Sequence, residues 1–249
     1  MNPPFAAGVV PIIPKSLLGT PHQYACEKAN RLFCWGWFKQ NWSGIFWPAL
    51  RQHVVLVLIA VTIGFAISMA LALLAHRFRR AEQPVVWFTS FLYTIPALAL
   101  FELLVGVPGL GLSRTTAEVA LVSYTLLILF RNILTGLRSV SADVRDSARG
   151  MGMNNRQLLL QVELPLALPA IIAGLRIATV STIALATLAV LVDGNEGLGA
   201  PIISAINDGY FKTELIAAGG LAVLLAVGAD GLLVGTQRLL TPWARARAV

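Results

Sequence analysis

The stretch "RDSARGMGMNNRQLLLQVELPLALP", residues 145–169, is a polar island between long apolar runs. Arg145, Asp146, Arg149, Asn154, Asn155, Arg156 and Gln157 crowd its first half, and Gly150, Gly152, Pro165 and Pro169 punctuate it. A bilayer interior disfavours every charged and amide side chain in that set, so the island belongs outside the hydrocarbon and its flanks within. Whole-chain composition agrees. Of 249 residues, 57% are hydrophobic and only 12% charged, against about 25% charged in an ordinary soluble domain. Apolar runs of roughly 20 residues, enough for a helix to cross the bilayer core, recur along the chain. The expected class is an all-α polytopic membrane protein.

The formal net charge of +7 fits the Lys/Arg excess of membrane-protein loops. No dense basic tract with interleaved aromatic residues occurs, so no nucleic-acid partner is expected. Cys26 and Cys34 are the only cysteines, too few for a zinc or iron–sulfur framework, and no metal site is expected. The first residues lack a basic segment followed by an apolar core and a small-residue cleavage site. No cleaved signal peptide is therefore expected, and the first span would serve as the insertion signal.

Residues 1–50 form a tail rich in Pro, Gly and aromatic residues, with Trp35, Trp37, Trp42 and Trp47 beside Phe33, Phe38 and Phe46. Such rings favour the headgroup layer, which predicts an interfacial segment ahead of the first span. A docking surface for a partner is the other reading. A transmembrane domain over residues 51–240 follows, with spans at about 54–75, 85–107, 117–134, 166–192 and 215–234, and a re-entrant piece near 198–206. Residues 238–249 form a basic tail. In the fourth span Ala173, Gly174, Ala178, Ser181, Thr182 and Ala186 make a stripe of small residues at helical spacing, which favours close helix approach in lipid and a central position.

Short loops set the orientation. One side receives Arg77, Arg79 and Arg80, then Arg138, Arg145, Arg149 and Arg156, then Arg238, Arg245 and Arg247. The other receives Arg114 and Lys212. Residues 141–165 and the C-terminus are thus expected in the cytoplasm and the N-terminus outside, in an inner-membrane protein. The tail's Lys15, Lys28, Arg31, Lys39 and Arg51 point weakly the other way, but long segments count for little in this rule.

Within the cytoplasmic loop the pattern predicts two short helices. "SADVRDSARGMGM" opens with a capping signal at Ser141 to Asp143 and stops at Gly150 and Gly152. "NNRQLLLQVE" restarts with Asn154 or Asn155 as N-cap and ends before Pro165. Leu158, Leu159 and Val162 fall on one face, with Arg156, Gln157, Gln161 and Glu163 largely on the other. A helix lying at a membrane surface and touching another protein has this pattern.

The spacing Asp146-Ser147-Ala148, Gly152, Val162, Leu164-Pro165 resembles the EAA motif of the membrane subunits of binding-protein-dependent ABC importers, with conservative departures at Asp146, Ser147 and Val162. Together with "YTIPALALFELLV" and "LFRNILTGL", the segment from Asp143 to Val192 is similar to the osmoprotectant permeases, which carry glycine betaine, choline, carnitine or proline betaine. The resemblance covers about residues 50–240 and leaves the tail aside. Where that family carries a glycine-rich "GAGGLG", this chain has Gly194-Asn195-Glu196-Gly197-Leu198-Gly199, and Glu102 stands where a small residue is usual. The resemblance implies a type I importer permease fold of about five core helices. It also implies that Asp146, Ser147, Ala148, Arg149, Gly152, Val162, Leu164 and Pro165 form a coupling helix that seats in a groove of the ATPase.

Charges inside spans need an explanation, because lipid offers no water to solvate them. Arg176 in the fourth span and Asp230 in the fifth lie at similar depth when the rise is counted at about 1.5 Å per residue, so the two are expected to pair, with Arg131 as the rival partner. Glu102 has two readings, a wet position near the outer interface or a place on the translocation path. Tyr93, Phe101 and Tyr124 are candidate path-lining aromatics, since cation–π attraction suits quaternary ammonium solutes, with packing or lipid contact as the other reading. The sequence allows a disulfide between Cys26 and Cys34 and does not decide it.

No G-x-x-x-x-G-K-[ST] phosphate loop is present, so this chain is expected to be non-catalytic, with ATP and Mg²⁺ bound by a separate ATPase subunit. The other partners implied by the resemblance are a second permease copy or paralogue, an extracytoplasmic solute-binding protein and the lipid bilayer. An intramembrane enzyme would need paired catalytic groups at depth, whereas His22, His53 and His76 are scattered. An ion-coupled carrier would transport alone. An ABC permease for an amino acid or a sulfonate is the nearest alternative.

Overall fold

The computed structural model describes residues 25–193 and 197–245. Gly194, Asn195, Glu196, Lys15, His22 and Arg247 lie outside the described residues. Among those described, four helices are long and apolar enough to cross a membrane, or five when one bent pair is counted as a single span.

A short helix α1 (Ala25–Lys28) precedes α2 (Trp35–Asn41). Through a π-helical stretch Trp42–Phe46, α2 runs into α3 (Trp47–Arg77), so residues Trp35–Arg77 form one helix of 43 residues. From Trp35 onward the tail is thus continuous with the helix of the first span. Trp37 and Phe46 are buried against Phe211, and the Trp37 and Phe211 rings meet edge-on with centroids 4.8 Å apart. Pro48 lies inside this long helix, where its missing N–H interrupts the hydrogen-bond ladder at the passage from the π-helical stretch into α3. His76 and Arg77 end it.

The second span is broken. Helix α4 (Glu82–Thr94) and helix α5 (Ala97–Val105) meet at an angle of 95°. Pro96 is the cause, because a proline ring pushes the residue before it out of the helical region, and Ile95 has ψ of 127°. The span expected at 85–107 is thus a bent pair of helices. The hydroxyl of Tyr124, on the next helix, donates to the Ile95 carbonyl that the break leaves without a helical partner.

Helix α6 (Arg114–Arg138) starts at Ser113, whose hydroxyl accepts the N–H of Thr116, and it is sheathed along its length by α3, α4 and a later helix, α9 (Leu164–Leu185). Glycines make this sheathing tight. A Cβ at Gly64 of α3 would run into the Thr125 side chain, and one at Gly174 of α9 into Asn132. At Gly136 it would lie 2.9 Å from the Ala170 Cβ. Backbones that approach this closely gain dispersion contacts, the main attraction available between helices in lipid. Gly174, Ala178, Thr182 and Ala186 of the small-residue stripe are buried, and Ala173 and Ser181 are half-buried.

Between α6 and α9 lie α7 (Ala142–Gly150), α8 (Asn155–Gln157) and a π-helical turn Leu158–Glu163. After α9 a 3₁₀ turn, Ala186–Ala189, leads to α10 (Val190–Asp193). The helix of the fourth span thus tightens at Ala186. Helix α11 (Gly199–Asn207) occupies the place expected for a re-entrant piece. Helix α12 (Lys212–Leu240) closes the bundle and buries only Thr213, Glu214, Ala217 and Ala218, and α13 (Pro242–Arg245) follows. The rest of α12 offers Val223, Leu224, Val227 and Leu232 outward.

Candidate functional site

The loop from α7 to α9 stands at one end of the bundle. The chain leaves α6 through Ser141, whose extended ψ of 152° starts α7, although its side chain makes no capping bond. Gly152 then reverses the chain at φ of +84°, a left-handed conformation that favours glycine. Its N–H donates to the Arg149 carbonyl at 2.9 Å, and that of Met153 donates to Ala148 at 3.2 Å, closing α7. A capping box restarts the helix: the Asn154 side chain accepts from the Gln157 N–H and the Gln157 side chain accepts from the Asn154 N–H, each at 2.9 Å.

The loop has an outer and an inner face. Asp146, Ser147, Arg149, Met151, Gly152 and Arg156 are exposed. Asp146 and Arg149 approach to 3.4 Å, but with both side chains over half exposed the attraction contributes little. Ala148 is buried, and Val162, Leu164 and Pro165 are half-buried. The face assignment for Glu163 needs correction. It is buried, and its carboxylate oxygens lie 2.9 Å from His76 Nε2 and 2.9 Å from Arg145 Nε. A helical-wheel reading puts Glu163 on the wet face, but the π-helical turn widens the helix and rotates the residue inward.

Deeper in the bundle, Arg176 donates from Nε to Asp230 Oδ1 at 2.8 Å and from Nη2 to Oδ2 at 2.9 Å. This two-pronged arrangement joins α9 to α12, and Arg131 is exposed elsewhere on α6. At the α4–α5 break a half-open cavity of about 270 Å³ is lined by Tyr93, Pro96, Tyr124, Thr125, Ser181 and Thr182, among others. The Tyr93 and Tyr124 rings meet edge-on with centroids 5.8 Å apart. Phe101 is buried in the core and Glu102 is exposed on α5, and neither lines this cavity.

Two features stand at the opposite end, a disulfide that the sequence allows without deciding and a buried histidine that it does not reveal. Cys26 and Cys34 are disulfide-bonded, with Cα atoms 5.6 Å apart, and the small ring is held to the start of α12. The Cys34 N–H donates to Thr213 Oγ1 at 2.8 Å, and the Asn30 side chain donates to the Tyr210 carbonyl and accepts the Lys212 N–H. His53 of α3 is fully buried, with Nε2 3.0 Å from the Ile183 carbonyl and Nδ1 3.3 Å from the Leu198 N–H. Gly197 sits at φ of +69°, where a Cβ would lie 2.8 Å from His53 Nδ1. Among the described residues no group of three or more His, Cys, Asp or Glu stands where it could hold a metal ion.

A bundle of membrane-length helices with a short exposed helix feeding its central member is the type I ABC importer permease fold. A chain of the methionine ABC transporter MetNI, inward-facing, superposes with a TM-score of 0.69 at 18% identity, over 79% of this chain and 97% of that one. A chain of an amino acid ABC transporter gives a TM-score of 0.65 at 19% identity, over 80% and 96% of the two chains. The family described as "Binding-protein-dependent transport system inner membrane component" matches residues 43–239, and the chain belongs to it. It is 34% identical to the glycine betaine/carnitine/choline transport system permease protein OpuCB of Bacillus subtilis over 206 residues, 82% of this chain and 93% of that protein. It is 36% identical to the osmoprotectant import permease protein OsmW of Salmonella typhimurium over 194 residues, 77% of this chain and 89% of that protein. The family match starts after the disulfide-bonded segment.

Proposed function

We propose that this chain is the membrane-spanning subunit of an ATP-driven importer for a small quaternary ammonium solute, of the class of glycine betaine, choline, carnitine and proline betaine. The observation that carries the importer reading is the glycine-reversed helix α7, exposed on one face and leading through Pro165 into the central helix α9. The solute class rests on the relatives, whose names specify such compounds. The two amino acid transporter neighbours, below 20% identity, speak only for the fold.

In this reading the exposed face of residues 141–165 meets an ATPase subunit, which binds ATP and Mg²⁺. Two permease subunits, this chain with a copy or a paralogue, surround the path, and a solute-binding protein delivers solute from outside. The N-terminus then lies outside and the C-terminus in the cytoplasm. Alternating access follows from rocking of the two membrane halves. The Tyr93–Tyr124 corner at the α4–α5 break is the candidate stretch of path, with aromatic faces suited to a passing cation. Glu102 is assigned to the wet outer interface.

The test is purification from the native membrane, identification of what comes with the chain, and uptake of labelled choline and glycine betaine by the reconstituted complex. A co-purifying ATPase and binding protein with ATP-dependent uptake support the reading. Uptake of amino acids or sulfonates instead replaces the solute class. Transport by the chain alone refutes it.

A further inference from the structure

Glu163 is 5% exposed and is approached by cationic or donor groups from two other elements. His76, in the last turn of α3, reaches one carboxylate oxygen, and Arg145, in the middle of α7, reaches the other. Arg145 also donates from Nη2 to the Leu137 carbonyl at the end of α6, at 2.8 Å. One carboxylate thus sits where the coupling loop, the start of α9 and the ends of α3 and α6 converge. Little else fastens α7 to this junction from its own surface, because the small side chain of Ala148 is the only one it buries.

The kind of attachment matters as much as the place. The Nε–H of Arg145 is not aligned on the carboxylate, so that contact is Coulombic rather than a directed hydrogen bond. Coulomb attraction falls off gradually with distance and persists through a displacement of an ångström, whereas a packed apolar contact is lost over that distance. An attachment of this type keeps hold while the elements it joins slide. At the same time the buried carboxylate is poorly solvated, so parting from both partners is costly. The helices are therefore bound to follow.

We infer that Glu163 is a positioning residue for energy transfer: its carboxylate is the joint through which motion of α7 is passed to α3 and α9 together. The inference rests on the reading of residues 141–165 as the ATPase-contacting loop. It adds a residue that the motif resemblance does not assign, and a second route, through His76 into α3, beside the covalent one through Pro165.

The test uses the complete importer, with its ATPase and binding protein, in proteoliposomes, and reads solute moved per ATP hydrolysed. Glu163→Gln and Arg145→Gln are each expected to keep hydrolysing ATP and to lower that ratio about fivefold or more, the lower end of typical coupling between sites. Glu163→Asp is expected to recover part of it. A wild-type ratio in either glutamine variant overturns the inference, as does a lower yield of assembled complex with an unchanged ratio in what assembles. Cross-linking from Met151→Cys to the ATPase separates the two claims. If no cross-link forms, the loop assignment fails. If it forms and the ratio is unmoved, only the role of Glu163 fails.

Discussion

The imidazole of His53 joins Leu198, 145 residues further along the chain, to Ile183 on α9: Nδ1 accepts the Leu198 N–H and Nε2–H donates to the Ile183 carbonyl. That tautomer satisfies both backbone groups with a neutral ring. The buried side chain therefore fixes the entry to α11 against two long helices. His53→Ala removes both bonds, and a buried backbone group left unpaired costs about 1–3 kcal/mol. A lower melting temperature of the detergent-solubilised protein is expected, with His53→Gln less affected. Equal melting of His53→Ala and wild type would show the bonds to be dispensable.

Arg176 and Asp230 lock α9 to α12 through two parallel hydrogen bonds. Arg176→Asp and Asp230→Arg are each expected to reduce the amount of folded protein in the membrane, and the two together to restore most of it. The measurement is membrane-fraction yield followed by thermal stability. A double variant no better than the singles would remove the pair from the set of fold-determining contacts.

Gly64 and Gly228 are both helical glycines with opposite surroundings. A methyl group at Gly64 collides with Thr125, whereas nothing lies within 4 Å of one at Gly228. Gly64→Ala is expected to cost about 1–3 kcal/mol through overpacking, and Gly228→Ala to be neutral or to stabilise by about 0.5–1 kcal/mol through backbone entropy. Thermal unfolding of the two variants side by side checks the order. The reverse order would mean that α3 and α6 are not apposed through Gly64.

Gly152 carries a φ of +84° at an exposed position with open space around it. Gly152→Trp forces a bulky residue into the left-handed region, at roughly 1–2 kcal/mol, and puts a ring on the outer face of the loop. Retained assembly with transport lost from an ATP-hydrolysing complex is expected. Unchanged uptake would take residues 141–165 out of the coupling role.

The spans are legible because hydropathy integrates over many residues, and relative depth is legible because a helix rises by a constant amount per residue. Equal depth is the property that relates Arg176 and Asp230. Direction is harder to read. "VVWFTSFLYTIPALALFELLVGV" is predominantly apolar on both sides of Ile95, so its composition hides the turn there, and only Pro96 hints at it. Glu163 is hidden for another reason. Its burial depends on a π-helical turn and on partners 87 and 18 positions away in the chain, neither of which enters a helical-wheel pattern. The seating of Trp37 and Cys34 on Phe211 and Thr213 is equally non-local.

That last seating has a consequence for biogenesis. The Cys34–Thr213 hydrogen bond spans 179 residues, and the Asn30–Lys212 bond spans 182. At a synthesis rate of about 5–20 residues per second, the disulfide-bonded segment waits roughly ten to forty seconds for its seat to emerge. Throughout that interval Trp37 and Phe46 lack Phe211, their cover in the finished molecule. Closure of this end is thus a late event in the making of the chain, and it leaves a hydrophobic surface exposed for as long as the ribosome takes to reach α12.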